Sequence, residues 1–114
     1  MSNTTEPVSP RPVALSIEAN YPSLRSRLEK AIEMYKNNMT TIGSTSLEVM
    51  SQEGFELYLV PSDLSSCTCE DSRRGNFCKH RISAGLTCAS IELAQRKLPT
   101  IVKALRAYAK SSTK

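Results

Sequence analysis

Apolar positions along the chain fall into three patterned stretches, and the period changes from one to the next. After Asn20, apolar residues recur at Tyr21, Leu24, Leu28, Ala31, Ile32 and Tyr35. Steps of three and four place them on one face of a helix. Arg25, Glu29, Lys30, Glu33 and Lys36 take the other face. Pro22 suits the first helical turn, where its missing N–H costs nothing. Asn37-Asn38 is a natural stop, because Asn tolerates the left-handed conformation that ends helices. The pattern describes a helix covering a core.

The period then shortens to two. Leu47 and Val49 alternate with polar neighbours in Ser44–Met50, and Phe55, Leu57 and Leu59 share one face of Phe55–Val60. Ser51-Gln52-Glu53-Gly54 between them is hairpin-turn material. Pro61 has no N–H to give a ladder and closes the second strand. Beyond His80 the helical period returns through Ile82, Leu86, Ala89, Leu93 and Leu98. Gly85 inside it marks close packing at a cost of ~1 kcal/mol against Ala. Pro99 either kinks this helix or opens a second one carrying Ile101, Val102, Leu105 and Tyr108.

The ends read differently. Pro7, Pro10 and Pro12 among polar residues make residues 1–19 a flexible N-terminal tail, within which Val13–Ile17 forms a short strand or docks on the core. Residues 20–110 form one domain, and 111–114 are a polar tail. The expected fold is α+β: an N-terminal helix, a β-hairpin, a cysteine-rich knuckle and a C-terminal helix or helix pair.

Composition narrows the function. The chain has 114 residues, 39% of them hydrophobic and 23% charged, with no Trp and only two Phe. That makes one modest aliphatic core, and it argues against broad aromatic platforms for single-stranded nucleic acid. No run reaches the ~18 apolar residues of a membrane span, and the N-terminus lacks the basic and apolar regions of a secretory signal. The expected location is cytoplasmic, or nuclear in a eukaryote, where thiols stay reduced.

Candidate chemistry concentrates in one place. Cys67-x-Cys69, an eight-residue link, then Cys78-x-His80 puts three of the four Cys and the single His within fourteen residues. Zinc takes four N or S ligands in a tetrahedron, and these four groups supply one. Gly75-Asn76 in the link supports the reversal that brings the pairs together. Cys78 is expected just before a helix, with His80 in its first turn. The competing readings are disulfides, free thiols or a Cys–His nucleophile. A Cys67–Cys69 bond would be strained, and no orienting partner for a dyad is evident. A catalytic zinc would need an open position, which four protein ligands do not leave. Cys88 is left over within the apolar helix, as a small buried hydrophobe or, more sharply, a substitute ligand or redox thiol.

This C-x-C…C-x-H site, preceded by the hairpin through Phe55–Val60 and followed by a helix, resembles the SWIM zinc finger over residues 45–93. The match is carried by Cys67, Cys69, Cys78 and His80, with Gly75 and Lys79 also in keeping. The resemblance implies a structural zinc in a stand-alone, non-enzymatic module that binds DNA or protein partners, including as a small partner in DNA-processing recombination complexes. The chain holds no ATPase or kinase motif.

Charge divides the molecule. Net charge is +4, yet residues 1–66 carry five basic and eight acidic side chains and residues 67–114 carry ten basic and three acidic ones. The expected nucleic-acid face, DNA in the first instance, therefore lies in 67–114. Arg73, Arg74, Lys79 and Arg81 around the ligands could touch phosphates or simply neutralise an anionic Cys3His centre. Arg96, Lys103, Arg106 and Lys110 form one stripe if a helix runs through Pro99, either a nucleic-acid face or an ordinary solvated one. The alternative to nucleic acid is a protein-interaction or adaptor role. No small-molecule substrate is implied.

Overall fold

The computed structural model describes residues 6–112. In chain order these form α1 (Arg11–Asn20), a 3-10 turn (Pro22–Leu24), α2 (Arg25–Lys36), β1 (Thr40–Ile42), β2 (Ser46–Met50), β3 (Leu57–Pro61), α3 (Glu70–Arg73), α4 (Lys79–Ala94) and α5 (Thr100–Ser112). The fold is α+β as expected, an antiparallel sheet of order β1-β2-β3 beside a helical layer.

The central element is α4. Every residue from His80 to Leu86 is buried, as are Ala89 and Ser90. A helix buried around its circumference must be enclosed by other elements. Here α1, α2, α5 and the inner face of the sheet supply the cover. Leu24, Leu28, Ala31 and Met34 come from the first helical stretch, Leu47, Val49 and Val60 from the sheet, and Ile101 and Leu105 from α5. The expected helix thus appears as the 3-10 turn plus α2. It ends at Asn38, whose φ of 55° is the left-handed conformation Asn tolerates.

Two expectations about the chain ends need correction. Residues 11–20 are neither a flexible tail nor a strand but a helix, and of the two outcomes expected for Val13–Ile17 it is docking on the core that is found. Pro12 sits in the first turn of α1, where proline fits. Val13, Leu15 and Ile17 satisfy a period of two, but only Val13 and Ile17 are buried while Leu15 is exposed. The four-residue step therefore decides in favour of a helix. Val8 is anchored as well, its N–H donating to Ser90 O at 2.9 Å. The remainder of the expected tail, residues 1–5, lies outside the described residues. At the other end, α5 carries through Ser111 and Ser112, and residues 113–114 lie outside the described residues.

Pro99 opens a second helix rather than kinking the first. Arg96 adopts φ 60°, and Lys97 N–H donates to Glu92 O at 2.8 Å, which closes α4. The Glu92 carboxylate then accepts hydrogen bonds from the backbone N–H and hydroxyl of Thr100, capping α5. The proposed Arg96–Lys110 stripe is consequently broken: Arg96 belongs to the turn, and Lys103, Arg106 and Lys110 belong to α5. Gly85 is where α4 meets α5. A methyl group there would lie 2.5–2.9 Å from three side-chain atoms of buried Ile101.

The hairpin is a sheet of three strands. Leu47 pairs with Val60 and Val49 with Tyr58, and β1 adds Thr40 opposite Val49 and Ile42 opposite Leu47. The β2–β3 turn is closed by Ser51 N–H donating to Glu56 O at 2.8 Å, while the Ser51 hydroxyl accepts from the N–H groups of Phe55 and Glu56. The face carrying Phe55, Leu57 and Leu59 is solvent-exposed.

Candidate metal centre

The chain between β3 and α4 folds around four side chains. Cys67 and Cys69 follow the loop after β3, Cys69 caps the short α3, and Cys78 caps α4, placing His80 in its first turn. The reversal between the pairs occurs at Gly75, whose φ of 91° suits glycine. One ligand atom from each of Cys67, Cys69, Cys78 and His80 lies within 4.8 Å of all the others, and all four residues are buried. Ligands of a tetrahedral zinc with Zn–S near ~2.3 Å stand ~3.8 Å apart. A small contraction therefore reaches that geometry.

The donor chemistry fits an ion. Nδ1 of His80 is buried without a hydrogen-bond partner among the described residues, which is costly unless something fills the position. The thiols meanwhile compete for protons. Cys78 is pushed up to about 12 by its hydrogen bond with Cys67 and by burial. The same contact draws Cys67 down, and burial raises Cys69. A divalent cation would take the place of the thiol protons, since coordinating thiols are deprotonated. The cluster could thus hold a metal ion.

The surroundings hold the cluster in place. Ser72 N–H donates to Cys69 Sγ at 3.4 Å. The Tyr58 ring lies against the His80 imidazole with centroids 4.3 Å apart, so the inner face of β3 sets its orientation. Arg81 is the clasp. It is only 7% exposed, its Nε donates to Leu64 O at 2.9 Å and its Nη1 to Asn76 O at 3.3 Å. Those carbonyls precede the two ligand pairs, so one guanidinium ties both arms of the knuckle together. It also lies 3.9 Å from the centroid of the buried Phe77 ring. Leu64 has φ 61° although it carries a bulky buried side chain. Such a conformation persists where surrounding contacts over-determine it, and the Arg81 bond is one of them.

Arg27 of α2 also grips the knuckle. Its Nε and Nη2 donate to the Asp71 carboxylate at 2.7 and 2.9 Å. Asn76 Nδ2 donates to the same carboxylate at 2.9 Å. Arg27, chiefly through these bonds, holds Asp71 down at about 2. Leu64, Arg27, Tyr58 and Asp71 carry no signal in the sequence that ties them to the cysteines. Arg27 and Asp71 stand 44 positions apart.

The basic residues proposed for a partner separate into two groups. Arg81 is buried and committed to carbonyls, which corrects its assignment as a surface contact. Arg74 pairs with Glu70 at 2.9 Å, and Lys79 Nζ donates to Gln52 Oε1 at 2.7 Å. Arg73, Lys103 and Arg106 are exposed and form no ion pair among the described residues. Lys103 borders an 830 Å³ depression shared with Ser72, Gly75 and Tyr108. Cys88 lies outside the cluster, half-buried against the core. Among the described residues, no helix is long and apolar enough to cross a membrane. No family model matches the chain, and neither a curated protein nor a solved structure matches it.

Proposed function

We propose that the protein is a structural zinc-binding module whose work is to bind another macromolecule, not to catalyse a reaction. The observation that carries this is the buried Cys67, Cys69, Cys78, His80 cluster at the junction of sheet and helices. Three thiolates and an imidazole favour zinc among common ions. Four protein ligands complete its tetrahedron and leave no position for substrate. When bound, the ion would hold the two arms of the knuckle together. Tyr58, Ser72 and Arg81 would orient them. The strand–knuckle–helix order agrees with the SWIM resemblance, and so does a role as a small adaptor in a larger assembly.

The test is chelation of the protein as purified. One zinc per chain is expected by elemental analysis. Its removal should lower the melting temperature and abolish near-ultraviolet dichroism from the knuckle. An unchanged melt after complete metal removal would sink the structural role.

A second reading, nucleic-acid binding through the basic half, is favoured by the exposed Arg73 and by Lys103 and Arg106 on α5. It requires affinity for a DNA duplex that falls with salt and falls further on charge reversal at Arg73, Lys103 and Arg106. Arg81 is excluded from that test because it is buried.

A further inference from the structure

The outer face of the sheet departs from what a solvated sheet needs. Antiparallel sheets with one wet face alternate apolar-in and polar-out. Here the inner positions Leu47, Val49 and Val60 are buried as expected, but the outer face, beside polar Thr41, Ser46 and Glu48, also carries apolar Met50, Leu57 and Leu59. Leu57 is 51% exposed, Leu59 46% and Met50 36%, with Met50 directly opposite Leu57 in the ladder. Phe55, in the adjoining turn, is 90% exposed. Glu48, opposite Leu59, is the one charged residue of the three strands. A contiguous exposed apolar patch of this kind marks an interaction surface.

Two features say what covers it. The first is charge. From residue 37 to residue 72 there is no Lys or Arg, while Glu48, Glu53, Glu56, Asp63, Glu70 and Asp71 are all acidic. The patch therefore sits in the acidic part of a net-basic protein. A second copy docked face to face about a two-fold axis would bring two Glu48 carboxylates and the same acidic rims together, because a two-fold interface repeats one patch on both subunits. The second feature is the sheet edge. Leu59 N–H donates to Thr68 Oγ1 at 3.0 Å, and Thr68 N–H donates to Leu59 O at 3.2 Å. The free side of β3 is thus occupied at its middle, so a partner cannot extend the sheet there and must lie on its face.

We infer that this face, Met50, Leu57 and Leu59 with Phe55 beside them, docks a cationic amphipathic helix of a partner protein. The dimensions agree. Five-residue strands at ~3.4 Å per residue and three strands ~4.8 Å apart give a surface ~17 Å by ~10 Å. That accommodates one helix of ~10 Å diameter over about three turns. Apolar anchors of the helix would lie on Leu57 and Leu59, and its flanking Lys or Arg would meet Glu48 and, at the turn, Glu53; Glu56 is held on the other face by the Tyr58 hydroxyl, which donates to its carboxylate at 2.9 Å. This deepens the binding-module reading by giving it a surface opposite in charge to the proposed DNA face.

The test uses the full chain as purified to select binders from a random peptide library. Enriched peptides should show apolar residues at three- and four-residue spacing flanked by Lys or Arg. The exposed double variant Leu57→Ser/Leu59→Ser should weaken them at least about tenfold, as truncation of interface anchors does. Glu48→Lys/Glu53→Lys should weaken them and reverse the sign of their salt dependence, and Lys103→Glu/Arg106→Glu should leave them unchanged. No enrichment, acidic or uncharged peptides, or binding indifferent to the sheet variants would overturn the inference. Competition by duplex DNA would overturn it too. Metal content and circular dichroism of the same variants separate the outcomes. Peptide failure with zinc and fold intact defeats the docking face alone, whereas a metal-free protein defeats the zinc module.

Discussion

The knuckle and the helical layer beside it are held by different forces. Between Cys67 and His80 the chain contains one large apolar side chain, Phe77, among Thr, Ser, Asn, Gly and charged residues. It is built from four converging Cys and His side chains that could hold a metal, the carbonyls held by Arg81 and the Asp71 carboxylate held by Arg27. Across α2, α4 and α5 the balance is reversed. Leu28, Ala31, Met34, Ile82, Leu86, Ile101 and Leu105 are buried, and a polar link between α4 and α5, Glu92 with Thr100, sits at the turn between them. Apolar burial is spread over many side chains and degrades gradually, at roughly 25 cal/mol per Å². Polar clasps concentrate stability in a few groups, and losing one leaves its buried partners unsatisfied.

The largest expected effect comes from removing a ligand. Cys78→Ser should abolish stoichiometric zinc and remove several of the roughly 10–16 kcal/mol that such sites contribute in small finger peptides. Hydrogen exchange should then show the knuckle unprotected while α2 and the middle of α4 keep slow amides. If all helices lose protection together, the two regions fold as one unit and the contrast between them fails.

Arg81 comes next. Arg81→Met keeps the packing on Phe77 but strands the Leu64 and Asn76 carbonyls, at a cost of roughly 2–4 kcal/mol. Arg81→Lys should recover less than half of this, since an ammonium lacks the planar fork that reaches both carbonyls. Denaturant titration with zinc present checks both. Full recovery by Lys would mean that charge near the thiolates matters and the clasp does not.

Within the helical layer the sharper probe is the contact of Gly85 with Ile101. Gly85→Ala should gain ~1 kcal/mol of helix propensity yet lose more by overpacking, for a net cost of about 1–2 kcal/mol. Ile101→Ala alone should cost ~2–5 kcal/mol through its cavity. The pair should cost less than the sum of the two, because the added methyl enters space that Ile101 vacates. Additive costs would show that the α4–α5 contact relaxes in solution.

Much of this contrast was legible in the sequence. The Cys/His cluster follows from spacing alone, because short C-x-C and C-x-H pairs are local and leave little conformational choice. α2, β2, β3 and α4 follow from apolar period, and Gly85 was readable as close packing. The rest is non-local or ambiguous. Val13–Ile17 fits both a period of two and a step of four, and the prolines around it read as disorder although Pro12 suits a first turn. β1 is only three residues, Thr40–Ile42, and pairs with β2 without an alternating apolar pattern of its own. Arg81 reads as a surface charge because its partners, two main-chain carbonyls, carry no sequence signature. The outer sheet face misleads for the opposite reason. Phe55, Leu57 and Leu59 have the alternation of a core strand, but Val60 and Tyr58 are the residues that face inward.

The smallest effect belongs to Cys88, and it tests where the knuckle ends. Its thiol is pushed up to about 11, mainly by burial and then by Glu92. A raised thiol pKa means less thiolate at a given pH, so at pH 8 only about a thousandth of Cys88 is ionised. Alkylation of the intact zinc protein should be slow at all four Cys, at three because they are ligands and at Cys88 because it stays protonated. After chelation, Cys67, the thiol drawn down within the cluster, should react first and Cys88 should lag behind it, as peptide mapping by mass spectrometry can show. Cys88→Ala should cost less than ~1 kcal/mol and leave one zinc per chain. A drop in zinc content in that variant would make Cys88 a fourth thiolate ligand, and the boundary between knuckle and helical core would move into α4.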